Sequence, residues 1–357
     1  MRKNLLQFCC LLAMTLLVAG PPACGQGQKL PNVVILATGG TIAGSASTGT
    51  QSGYTSGQVN IEVMLNAIPD VRKIANVTGE QISNVGSQDM SFEIMLKLAK
   101  RIQELSQRKD LAGIVITHGT DTMEETAYFL NLVVKTDLPV VLVGSMRPST
   151  ALSADGPLNL YNGIAVAADP NARGRGVLLV MNDWIQSAQN LIKVSTTAVQ
   201  TFMSPIKGLI GTTAYGSNEF YRYPISLYGP KSEFSVEGVN QLPRVDIIYA
   251  CTDMPADLID ASVANGAKGI IIAGVGNGNM NKASLEACQR ASKKGVVVVR
   301  STRVATGNVG RNVEVNDDEL GLIASYDLNP QKARILLSLA LLKQRPLADI
   351  QKLFVDY

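Results

Sequence analysis

ILATGGTIAG, from Ile35 to Gly44, and VITHGTDTMEE, from Val115 to Glu125, are built alike. Each opens as a short apolar run and breaks into glycine and threonine where the run ends, joined in the second by acid. An apolar run of this length, bounded by turn residues, reads as a parallel strand buried on both faces. In an open α/β sheet, ligands sit at the carboxyl ends of such strands. Two hydroxyl-rich strand ends, with Thr41 in one and the Thr120/Asp121 pair in the other, predict one shared site built on threonine.

Further apolar runs extend the pattern. Val33 to Leu36, Ile114 to Ile116, Val140 to Val143 and Val177 to Val180 alternate with helical stretches, as βαβ units require. After Ser91 the apolar residues Met95, Leu98, Ile102 and Leu105 form one helical stripe, with Lys97, Lys100, Arg101 and Glu104 on the solvated side. From Thr212 to Gln241 tyrosines and prolines replace any helical period, which predicts an arm between domains. A second α/β unit begins at Pro243, with strand signals at Val245 to Tyr249, Gly269 to Ile272 and Val296 to Val299 and a final helix over Pro330 to Leu342. The expected fold class is α/β, with a larger N-terminal parallel-sheet domain over residues 29–222, a linker over 223–242 and a smaller C-terminal α/β domain over 243–357.

Composition narrows the function. The 357 residues are 46% hydrophobic and 17% charged with a net charge of +3, which supports a sizeable core and leaves no basic field for nucleic acid. Residues 1–25 read as a secretory signal: Arg2 and Lys3, an apolar stretch from Leu5 to Ala19, then small residues and prolines. That stretch falls short of the roughly 20 residues that span a bilayer, so export without membrane insertion is expected. Cys24 offers lipidation as an alternative, although Pro21 and Pro22 stand where a lipobox wants an aliphatic and a small residue. Cys251 and Cys288 lack metal or CxxC spacing and read as buried small apolar residues.

The chemistry must run almost without histidine, because His118 is the only one. Multi-histidine metal sites are ruled out, and His118 reads more simply as a hydrogen-bonding group beneath the strand end than as part of a triad. A threonine hydroxyl is a weak nucleophile and needs a nearby base. Gly39 and Gly40 are expected to let the backbone approach a ligand and aim N–H groups at a developing oxyanion. TGG lacks the lysine pattern of a phosphate loop, and GVGNGN, which holds Asn277, lacks the third glycine and the first-strand context of a dinucleotide site. Neither metal nor cofactor is expected.

Both opening segments resemble the two signature motifs of the bacterial-type L-asparaginase and glutaminase-asparaginase family. The likeness continues through NVGSQDM (Asn84 to Met90), MRPSTALSADGPLNLYN (Met146 to Asn162), AGVGNGN (Ala273 to Asn279) and LNPQKAR (Leu328 to Arg334). It implies an exported amidohydrolase converting L-asparagine to L-aspartate and ammonia through an acyl-threonine. By this resemblance Thr41 is the acylated nucleophile, and Tyr54, in the loop SGYTSG, helps to deprotonate it. Thr120, Asp121 and Lys193 match a second catalytic cluster. Asp121 also matches a ligand of the substrate ammonium, and Ser87 and Gln88 match the residues that hold its α-carboxylate and amine.

Asn277 and Glu314 complete the match, with Glu314 resembling an acid that reaches a neighbouring subunit's site in a homotetramer of two close dimers. Without the resemblance, Tyr54 would read as an ordinary loop tyrosine and Lys193 as a surface lysine. The family's near-motif disulfide has no counterpart, since no cysteine lies between Cys24 and Cys251. The chain also departs from its relatives at Gln189 to Ile192, just before Lys193. Two alternatives stay open: a glutaminase-asparaginase that accepts both amides, and a non-catalytic amino-acid-binding protein, for which two activated hydroxyls would be superfluous.

Overall fold

The apolar runs become the middle strands of a large sheet. In the computed structural model, β1 (Asn32–Gly39), β2 (Asn76–Val85), β3 (Leu111–Thr117), β4 (Val140–Val143) and β5 (Val177–Met181) run parallel in the order β2-β1-β3-β4-β5. Residues 29–50 and 61–357 are described; the expected signal segment and Tyr54 lie outside the described residues. The chain turns back at Asn182 and Asp183, both at positive φ, into antiparallel β6 (Trp184–Ser187). A short ribbon of β7 (Ile192–Lys193) and β8 (Phe202–Met203) follows, and β9 (Gly211–Ala214) and β10 (Ser217–Phe220) extend the large sheet to eight strands.

Strand alternation covers both faces of this sheet. Val34 and Leu36 of β1 pack toward α2 (Phe92–Leu105) and α3 (Met123–Val133), while Val33 and Ile35 pack toward α4 (Gly156–Ala168), the fourth helix after the short α1 (Ile61–Asn66). The anticipated stripe of α2 is buried as expected, and Ser91 caps the helix by accepting from Ile94 N.

The smaller C-terminal sheet holds β11 (Val245–Tyr249), β12 (Gly269–Gly274), β13 (Val297–Thr302) and β14 (Leu322–Ala324), all parallel and in sequential order. Its outer face packs on α5 (Asp257–Ala264) and α6 (Lys282–Lys293). After the short α7 (Asp317–Leu320), α8 (Pro330–Ala340) covers the inner face. Both α3 and α8 are buried nearly all round, the property of a helix with no solvent side. They pack together, so Phe129 and Leu132 of α3 share one core with Leu336 of α8 and with Ile271, Val299 and Ile323 of the small sheet.

Several expectations are corrected. The first part of the anticipated arm, Thr212 to Phe220, is the β9–β10 hairpin, turned by Tyr215 and Gly216 at positive φ. A tyrosine in that conformation hides the usual glycine and asparagine signal of a two-residue turn. Residues 223–242 have only a 3-10 turn at Gly229–Lys231, yet Phe234, Val236 and Leu242 are buried in the shared core, so this strap is packed down. The final helix stops at Ala340, and an unanticipated α9 (Leu347–Asp356) follows Pro346. Cys288 is buried, whereas Cys251 is exposed, because β11 ends at Tyr249 and the chain is already turning toward Asp253.

Candidate active site

Strand order locates the site. In the order 2-1-3-4-5, connections leave β1 and β3 toward opposite sides, which opens a crevice at the carboxyl ends of those two strands. Thr41 follows β1 by two residues and Thr120 follows β3 by three. The turns touch: a Cβ built on Gly40 would lie 2.3 Å from Gly119 N, and one on Gly39 would lie 2.5 Å from Val85 O. Gly40 also holds φ +82° and donates its N–H to Val85 O at 3.1 Å. The close approach of Gly39 and Gly40 is therefore to the protein's own strand ends, and Gly40 N–H is not offered to a ligand, contrary to the expectation from sequence. Thr41 is buried at the start of a 3-10 turn.

The β2 end closes the third side. Ser87 is buried, its Oγ accepts from Asp121 N at 3.1 Å, and its carbonyl accepts from Thr122 Oγ1 at 2.7 Å. Gln88 beside it is exposed and lies against Gly86. The motif at Met146 to Asn162 braces the segment after Thr41: Ser149 N donates to Gly44 O at 3.0 Å, and Thr150 Oγ1 accepts from Ala46 N at 3.0 Å.

Lys193 brings in chemistry from 72 residues beyond Asp121. Its Nζ donates to Thr120 Oγ1 at 2.9 Å and to Asp121 Oδ1 at 2.6 Å. The Thr120 side is dry and the Asp121 side is wet, since Thr120 is 5% exposed and the Asp121 side chain 60%. A residue missed by sequence reasoning holds the lysine: buried Glu124 accepts from Lys193 N at 2.9 Å, from Asn329 Nδ2 at 3.2 Å and from Gln331 Nε2. Only the acidic run MEE in the first turn of α3 hinted at it.

Lys332 is also buried, donating to Gln189 O at 2.8 Å and to Leu191 O. Burial pushes its amine down to about 8, against the opposing pull of Glu124 and Asp327 and with some help from Lys207. Gln189, in the departing segment, donates its amide to Tyr357 O. That segment is thus tied to α8 and to the last residue of α9's cap.

His118 behaves as a structural group. Nδ1 lies 2.6 Å from Gly119 O, so it must donate there, and Nε2 lies 2.9 Å from Thr126 Oγ1 and must accept. Burial pushes the imidazole down to about 4, leaving it neutral at ordinary pH.

Asn277 and Glu314 are placed elsewhere, on loops of the small sheet. Asn277 Oδ1 accepts from Gly310 N at 2.8 Å, and Glu314 accepts from Asn279 Nδ2. Among the described residues, no hydrogen bond or ion pair joins either to the Thr120–Lys193 group. No cluster of three or more His, Cys, Asp or Glu suited to a metal occurs among the described residues.

Two family models match this architecture, one described as Asparaginase, N-terminal over residues 32–226, the other as Glutaminase/Asparaginase C-terminal domain over residues 244–354. The chain belongs to the asparaginase family. It is an amidohydrolase of the asparaginase type by its likeness to curated relatives. A "Probable L-asparaginase periplasmic" of Haemophilus influenzae is 49% identical over the whole of both chains. L-asparaginase 2 of Escherichia coli is 49% identical, over 93% of this chain and 95% of its own. A glutaminase-asparaginase of Pseudomonas fluorescens is 46% identical, over 92% of this chain and 91% of its own. Among solved structures, a crystal structure of a "Probable Cytoplasmic L-asparaginase" from Campylobacter jejuni superposes with a TM-score of 0.89 at 44% identity, covering 92% of this chain and 100% of that one.

Proposed function

We propose that this chain hydrolyses the side-chain amide of L-asparagine to L-aspartate and ammonia through an acyl ester on Thr41. The observation that supports this most is the Lys193 ammonium, bonded to both Thr120 Oγ1 and Asp121 Oδ1 where the β1 and β3 turns meet. A donor into the Thr120 oxygen polarises that hydroxyl, so its own proton is offered more strongly. Thr41 Oγ1 attacks the amide carbon and forms a C–O bond while its proton passes toward Tyr54. The C–N bond then breaks, and nitrogen leaves as ammonia with the proton that Thr41 gave up, relayed by Tyr54 and the Thr120 hydroxyl, each passing one proton on as it takes one up. Water cleaves the ester and restores Thr41. The exposed carboxylate of Asp121 meets the substrate ammonium, and Ser87 and Gln88 meet its α-carboxyl end. The hydroxyls, Lys193 and Asp121 handle protons and charge themselves, so the scheme uses no metal or cofactor.

Asn277 and Glu314 are proposed to complete the site of a neighbouring chain in a homotetramer, with 29–222 and 243–357 as the two domains. Residues 1–25 are proposed as an export signal. Alignment of the whole chain with a relative named periplasmic supports that reading, and N-terminal sequencing should find a mature start close to Gln26. Ammonia release, measured on asparagine and glutamine side by side, tests the activity. One methylene is worth only ~1–3 kcal/mol of discrimination, so a glutamine rate within about tenfold would make the chain a glutaminase-asparaginase. Release from neither amide would leave the amino-acid-binding protein as the better reading.

A further inference from the structure

β13 reads VVVRST, and its arginine is among the largest fully buried side chains of the protein. Arg300 is 1% exposed and its carboxylate partner Asp317 is 0% exposed. A buried ion pair of this kind is a weak source of stability, because apolar residues of similar size commonly do as well. What a guanidinium adds is direction. All five of its N–H groups find acceptors. Nε donates to Asp317 Oδ1 at 2.6 Å, and Nη2 to Asp317 Oδ2 at 2.7 Å and to Gly310 O at 3.0 Å. Nη1 donates to Asn277 O at 3.1 Å and to Gly278 O at 3.4 Å.

Those carbonyls belong to the two loops that carry Asn277 and Glu314. The loops are also tied directly, by Gly310 N to Asn277 Oδ1 and by Asn279 to Glu314. Asp317 Oδ2 further accepts from Asn312 N at 2.8 Å, two residues before Glu314. Gly278 lets the guanidinium lie beneath: at φ +75°, a Cβ there would meet Val309 Cγ1 at 2.8 Å and Arg300 Nη1 at 3.3 Å. None of these groups touches Thr120 or Lys193 by hydrogen bond or ion pair among the described residues.

We infer that Arg300, paired with Asp317, is a positioning residue that locks the Asn277 and Glu314 loops into one unit for recognising the amine of substrate bound in a neighbouring chain. This rests on the reading that Asn277 and Glu314 serve such a site. Lysine at position 300 keeps a charge for Asp317 but lacks the planar fork that reaches two loops. Arg300→Lys should therefore raise KM for asparagine about tenfold or more while kcat stays within about threefold.

The decisive experiment mixes subunits after mild dissociation and reassociation, with exchange verified by mass, and assays asparagine well below KM. Arg300→Lys with Thr41→Ala should regain activity, because hybrid pairs contain one site with an intact Thr41 and an intact recognition unit. Arg300→Lys with Glu314→Ala should gain nothing, since both lesions lie in the same half. If Glu314→Ala rescues Thr41→Ala but Arg300→Lys does not, or if Arg300→Lys keeps the parent KM, the inference is overturned. If Glu314→Ala also fails to rescue, the shared-site reading falls, and the inference with it. Should Arg300→Lys misfold, the double variant Arg300→Met/Asp317→Leu, checked for native circular dichroism and size, is carried through the same mixtures and must give the same pattern.

Discussion

The strand ends of the large sheet and those of the small sheet both gather polar side chains, but they gather them differently. Around Thr41 and Thr120, polar groups come from β1, β2, β3 and the β7 ribbon, and part of their bonding capacity faces outward, as the 60% exposure of Asp121 shows. Around Asn277 and Glu314, the polar groups are bonded to one another over a buried ion pair with every guanidinium proton satisfied. A region that moves protons must keep groups available, whereas a region that presents a contact must keep groups still. The contrast predicts that damage to the first appears in kcat and damage to the second in KM.

The largest effects should follow from the first region. Thr41→Ala and Thr120→Val are each expected to lower kcat at least about a hundredfold with native circular dichroism, whereas Asn277→Ala should raise KM about tenfold and spare kcat. Steady-state kinetics on the three variants would break the comparison if Thr120→Val kept half the parent rate.

Glu124→Leu comes next. It strips the acceptor from Lys193 N–H, Asn329 and Gln331 together, so kcat should fall about tenfold and stability by roughly 2–4 kcal/mol, with Glu124→Gln milder on both. Urea unfolding alongside kinetics measures both effects. A stable Glu124→Leu enzyme at full rate would mean that Lys193 is held by β7 alone.

The lone histidine supplies a pH test. Its folded value of about 4 lies below its unfolded value of ~6.5, so the unfolded chain binds more protons between the two. Stability from the neutral imidazole is thus complete above about pH 6.5 and is lost as pH falls toward 4, by an amount of order 3 kcal/mol. In tag-free protein a single imidazole signal should stay unshifted by NMR from pH 8 to 5. Titration near 6.5 would remove His118 from its place beneath Thr120.

The smallest effect concerns Lys332. Its folded value of about 8 lies below the unfolded ~10.4, so its contribution to stability rises with pH across that window, and the buried charge is most unfavourable below about pH 8. The stability of the parent relative to Lys332→Met should accordingly climb between pH 7.5 and 10. A flat difference would mean that the amine is solvated when folded.

What was legible follows from how each element is buried. β1, β3, β4 and β5 showed as unbroken apolar runs because they lie between two layers of helix, while β2, NVTGEQISNV at the sheet edge, carries the polar residues an edge tolerates and gave no signal. Thr41, Thr120 and Asp121 were visible because they interrupt those runs at the strand ends. Glu124 was not, since its partners stand 69 and 205 residues away.

By itself the sequence determined the α/β class, the threonine strand ends and the near-absence of histidine chemistry, all properties of residue type and local period. The tertiary structure alone decided that Gly40 rests on Gly119, that Lys193 reaches Thr120 through a ribbon pinned by Glu124, and that Arg300 lies under two loops. Each is a contact between groups distant along the chain, and periodicity carries no information about which strand ends will meet. That is settled by strand order and by the two buried helices, α3 and α8, through which the two sheets share one core.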